Sequence, residues 1–178
     1  MQALEHAVQQ EFAELFARIV ASVQGELGEW RGSPYRELVA GVAPRAVQGL
    51  IVRCLVALLE RHGLAAVVPE RGDRAQASLR IGAAGRYLVK SATRKGQAAT
   101  LFEFHGLDGA LPIILVAIAP QRVAAWLVAP DQLRALGGSA GGRIDVDPAL
   151  PSWSGGACGD GTLTALIATL RAGRRQAV

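Results

Sequence analysis

A single α/β domain, with a mixed five-stranded sheet flanked by helices, is what this sequence predicts, and three observations predict it. Two long segments in the first 63 residues repeat their apolar positions at helical spacing. Several short β-rich runs follow, and one of them, residues 112–119, is apolar throughout, as a strand covered on both faces would be. The length of 178 residues suits one compact domain with a core of its own. The expected division within 1–178 is a helix and loop over 1–43, a core over 44–136 and an extension over 137–178.

Each element has its own signal. Leu4, Val8, Phe12, Leu15, Phe16, Ile19 and Val23 mark an amphipathic helix that ends near Gly25 and Gly28. Glycines and Pro34 make 26–43 a loop, with one turn of helix around residues 35–39. Pro44 suits the first turn of a second helix, because its missing N–H costs nothing there. That helix runs through Val47, Leu50, Ile51, Cys54, Leu55 and Leu58 to Gly63, and it is apolar enough to pack centrally. Strands are expected over 65–68, 77–81, 86–90, 100–104, 112–119 and 123–128, with 82–85 as a hairpin turn and 144–146 as a last edge strand. A short helix over 131–136 and a closing helix over 163–171, capped by Thr162, complete the order.

Composition narrows the function classes. A hydrophobic fraction of 51% excludes a disordered chain. No apolar run approaches the ~18 residues of a membrane span, and acidic residues occupy the region where a secretory signal would be positive and then apolar. The expected compartment is the cytoplasm, with no membrane partner. The net charge is +4, and every basic residue other than Lys90 and Lys95 is arginine, whose fork matches phosphate oxygens in pairs. Cys54 and Cys158 lack metal-binding spacing. The glycine run 137–142 has no following Lys-Ser/Thr, so it is not a phosphate loop. Trp126 reads as core, whereas Trp30 and Trp153 fall in loops and are expected at an interface.

The informative stretch is 67–130. It contains a charged turn (Glu70, Arg71, Asp73, Arg74), a hairpin leading to Leu88-Val89-Lys90-Ser91-Ala92, and a basic turn with Arg94 and Lys95. Leu101-Phe102-Glu103-Phe104, the apolar strand and Trp126 follow. This order resembles the restriction-endonuclease-like superfamily, the PD-(D/E)XK nucleases, over roughly residues 44–136. The resemblance implies a restriction-endonuclease-like α/β fold and a nuclease-like core. It also implies a strand with an acid two residues before a lysine, so that both point to one face, a second acid on the hairpin and often a glutamate on the leading helix. Carboxylates of that kind hold Mg²⁺ for phosphodiester hydrolysis.

Lys90 matches the lysine, and Ser91-Ala92 matches what commonly follows it. Leu88 stands at the acid's position, residues 75–78 hold no acid, and the helix position falls near Gly49-Leu50. Candidate stand-ins are Glu60, Glu70, Asp73 and Glu103. Arg71, Arg74, Arg94 and Lys95 are the expected phosphate-contacting rim. The functional expectation is a DNA-binding protein of this fold that has lost its metal site, works without a cofactor and acts as a recognition or partner subunit for a nuclease. The alternatives are a divergent Mg²⁺-dependent DNA endonuclease with migrated carboxylates, and a protein-interaction module on the same fold. A homodimer is implied by the resemblance alone.

Overall fold

A computed structural model describes residues 2–22, 44–69, 78–82, 85–93, 101–107, 110–119, 122–136, 142–148, 153 and 160–176. The elements are α1 (Gln2–Ser22), α2 (Pro44–Arg61), β1 (Ala66–Val67), β2 (Ser78–Ile81), β3 (Gly85–Thr93) and β4 (Phe102–His105). After these come β5 (Ile113–Ala119), β6 (Arg122–Val128), α3 (Pro130–Ala135), β7 (Arg143–Val146) and α4 (Leu163–Gln176). The loop expected over 26–43, the charged turn 70–74, the basic turn 94–96, and Trp30 and Cys158 lie outside the described residues.

The expected mixed five-stranded sheet is present, in the order β1-β2-β3-β5-β6. β2 runs antiparallel to β1 and β3, β3 is parallel to β5, and β6 returns antiparallel beside β5. α2 ends as the sequence suggested. Gly63 takes a φ of 76°, and the Leu64 N–H donates to Leu59 O at 2.9 Å, closing the helix.

Two cores separate along the strand alternation. On one face, Leu79, Ile81, Val89, Ile114, Val116, Val123 and Ala125 pack under α1, α2 and α4, with Phe12, Phe16, Ile51 and Leu55 among the partners. Cys54 is buried there, and burial pushes its thiol up to about 12. On the other face, Leu88, Ala92, Ile113, Leu115, Ala117, Ala124, Trp126 and Val128 pack under a small second sheet. β5 is buried along nearly its whole length because both of its faces are covered.

The second sheet corrects two expectations. β4 and β7 do not join the main sheet; they pair with each other, Phe102 opposite Val146 and Phe104 opposite Ile144. Their inward residues seal Trp126 and Leu115, while Glu103, His105, Arg143 and Asp145 face outward. Local alternation marks a strand but says nothing of its partner forty residues away. Trp153 is likewise not at an interface. It is buried against Trp126 edge-on, centroids 5.7 Å apart, and its carbonyl accepts the Trp126 indole N–H at 2.8 Å.

The outer edge of β6 is closed by side chain and loop. The Gln9 amide donates to Val123 O at 2.6 Å and its oxygen accepts the Val123 N–H at 3.0 Å, imitating a neighbouring strand. One pleat on, the Ala125 N–H donates to Gly161 O at 3.1 Å. At the other edge, β1 is two residues long. Both edges are therefore unsuited to pairing with another sheet.

Candidate nucleic-acid interface

Alternation along β3 sends Arg86, Leu88, Lys90 and Ala92 to one face, and the antiparallel register adds β2 to them. Ser78 lies directly opposite Leu88, and Arg80 directly opposite Arg86. Ser78 falls in the window where the hairpin acid was sought. The face thus carries serine, leucine and lysine where the nuclease pattern has two carboxylates and a lysine. None of the described strand positions on it is a carboxylate.

Lys90 is half-buried, flanked on β5 by buried Leu115. Its amine runs alongside the exit from β4. A Cβ built on Gly106 would come within 3.3 Å of Lys90 Nζ, so the glycine makes room for the lysine.

The leading helix does not reach this site. α2 packs on the opposite face, and the side chain that meets β3 is Gln48, next to the predicted Gly49-Leu50 position. Its amide donates to Val89 O, and its oxygen accepts the Ser91 N–H at 3.2 Å and the Ser91 hydroxyl at 2.8 Å. Gln48 and Lys90 therefore sit on opposite faces of β3, and Ser91, which follows the lysine, fastens the helix.

Of the candidate acids, Glu103 faces away from the main sheet. Its carboxylate contacts Arg143 at 3.0 Å and His105 at 3.7 Å. Arg143 also grips Asp145 through two bonds of 2.7 and 2.8 Å, which lowers the Asp145 pKa and raises that of Arg143. Glu60 lies exposed in the last turn of α2. Glu70, Asp73, Arg71, Arg74, Arg94 and Lys95 lie outside the described residues. No group of three or more His, Cys, Asp or Glu side chains able to hold a metal exists among the described residues. The donor set on the described Lys90 face does not fit Mg²⁺, which takes oxygen ligands and a carboxylate or two.

Two functional candidates escaped the sequence reading, Arg80 and Arg86. Each looks like an ordinary strand arginine alone. Only the register shows them directly opposed, both exposed, on the same face as Lys90. Exposed Val67 lies opposite Arg80 on β1. Arg80 makes no ion pair among the described residues.

A hollow of about 320 Å³ opens on the other side of the sheet between Tyr87, Leu127 and the first turns of α4. Its polar groups serve local turns. Asp160 accepts the Thr162 N–H and hydroxyl at 3.0 and 2.7 Å, and Gln132 accepts the Ala129 N–H at 2.8 Å. Comparison with family models, with curated proteins and with solved structures finds no match to this chain.

Proposed function

We propose that the protein binds DNA through the β2–β3 end of its sheet, as a recognition or partner subunit without a metal-dependent cleavage centre of its own. One observation carries this reading. The face bearing Lys90 holds Leu88 at the strand acid's position and Ser78, the described residue of the 75–78 window of the hairpin acid, and Arg80 and Arg86 lie beside them. Cations without carboxylates attract a phosphate backbone and cannot position a hydrolytic metal. The element order along the chain supports the reading in part: a helix, a hairpin-led mixed sheet with the lysine on its third strand, then a buried strand and a Trp-bearing strand, with the aromatic strand β4 set apart in the small sheet.

Two measurements on the full chain test the reading. Duplex DNA titrated at increasing salt should bind with an affinity that falls log-linearly. Arg80→Ala or Arg86→Ala should each lower that slope by about one contact. In parallel, supercoiled plasmid with Mg²⁺ or Mn²⁺ should remain intact. Nicking abolished by Lys90→Ala would establish a divergent endonuclease instead. Failure to bind duplex at low salt would remove the DNA reading.

A further inference from the structure

We propose that the hollow between Tyr87, Leu127 and the start of α4 is a binding site for a small aromatic amine, a single ring carrying a short aminoalkyl chain. The site lies across the sheet from the Lys90 face and stands apart from the DNA reading. Its volume is about 320 Å³. That is near the lower end of the roughly 300–1,000 Å³ of small-molecule pockets, so it suits one ring rather than a nucleotide.

The walls are apolar where a ring would lie. Leu127 and Leu166 line the hollow, and Leu127 is only half-buried, so apolar surface there is left for a ligand to cover. Ala129 and Ala165 line it too, and their small side chains keep the space open. Tyr87 supplies an aromatic wall. A Cβ built on Gly85 would come 2.5 Å from the Tyr87 ring and 2.9 Å from its hydroxyl, so the glycine lets the phenol lie back along β3. Aromatic rings favour edge-on or offset contact with one another.

Two polar groups set the chemistry. Asp160 accepts both the Thr162 N–H and the Thr162 hydroxyl at one oxygen, Oδ1. Its Oδ2 has no partner among the described residues, on a carboxylate that Thr162 already holds in place. Asp160 is the charged side chain among the described residues lining the hollow, so a cation is favoured there over an anion. The Tyr87 hydroxyl likewise makes no hydrogen bond among the described residues. Burial raises its pKa, so it stays neutral near pH 7. It can accept a proton from an ammonium in a hydrogen bond, while the ring face attracts the same charge.

The test is calorimetric titration of the full chain with phenethylamine at neutral pH and low salt. One saturable site is expected, with a Kd of about 1 mM or tighter. Phenylacetate, the same ring with the opposite charge, should bind about tenfold more weakly. Asp160→Asn keeps the Oδ1 acceptor for Thr162 and the shape of the side chain. It should weaken phenethylamine about three- to fivefold and remove most of the preference over phenylacetate. Ala165→Phe should abolish binding by filling the space; where that variant fails to fold, Asp160→Asn decides.

Three results overturn the site: no saturable binding of phenethylamine by about 10 mM, equal affinity for phenylacetate, or an Asp160→Asn chain that binds the amine as tightly as the unaltered one. None of them bears on duplex binding at the Lys90 face, so the two readings stand or fall separately.

Discussion

Gly161 and Gly63 both adopt positive φ, 71° and 76°, yet their surroundings differ. A Cβ on Gly63 would meet nothing within 4 Å, whereas one on Gly161 would lie 2.6–2.8 Å from the Trp126 indole. Gly63→Ala should therefore cost only the backbone strain of about 1–2 kcal/mol. Gly161→Ala adds an overpacked indole, for a total of about 2–5 kcal/mol. Urea unfolding of the two variants checks this; equal losses would mean that Trp126 yields freely. Cys54 offers a second single-residue expectation. With its thiol pushed up to about 12 and its side chain buried, it should resist alkylation at pH 8 in folded Cys158→Ser protein and react once denatured. At this scale the sequence showed Lys90, because lysine is rare in the chain and Ser91-Ala92 follow it. It could not show Arg80 and Arg86, whose meaning depends on a strand register that no local pattern contains.

Among elements, α1 does more than cover the core. Gln9 closes the β6 edge, while Glu5 reaches the first turn of α4, accepting the Thr164 hydroxyl at 2.7 Å and its N–H at 3.4 Å. A carboxylate there complements the exposed N–H groups and the positive end of the helix. Thr162 caps the same helix, its hydroxyl accepting the Ala165 N–H at 3.0 Å. Thr162→Ala should then cost about 1 kcal/mol. Gln9→Ala leaves the Val123 N–H and C=O without partners and should cost about 1–3 kcal/mol. Light scattering during refolding should also rise for Gln9→Ala, since an opened edge invites pairing with another chain; unchanged scattering would mean that Gly161 alone suffices to close β6. The helices and most strands were legible because apolar spacing is local: 3.6 residues in α1 and α2, unbroken in β5. The cap on α4 was legible for the same reason. The pairing of β4 with β7 was not, nor was the face on which α2 would lie, because both are decided by long-range packing.

For the molecule as a whole, one sheet face divides into two halves with different duties. Over β3, β5 and β6 it is sealed by Phe102, Phe104, Ile144 and Val146 of the small sheet; over β2 it carries the exposed Arg80. A two-stranded sheet is marginal by itself, so β4 and β7 persist through what they bury on their neighbour. Stability and binding should therefore separate by position. Phe104→Ala empties a fully buried site and should cost about 3–5 kcal/mol, with amide exchange accelerating first in 102–105 and 143–146. Arg80→Ala removes an exposed charge and should leave stability nearly unchanged, while weakening DNA binding and its salt dependence. The reverse pairing is the informative failure. If Arg80→Ala destabilised the fold as much as Phe104→Ala, the arginine pair would be structural, its charges balanced within the chain. The β2–β3 end of the sheet would then hold no DNA phosphate, because a site already neutralised from within offers a phosphate nothing that water does not.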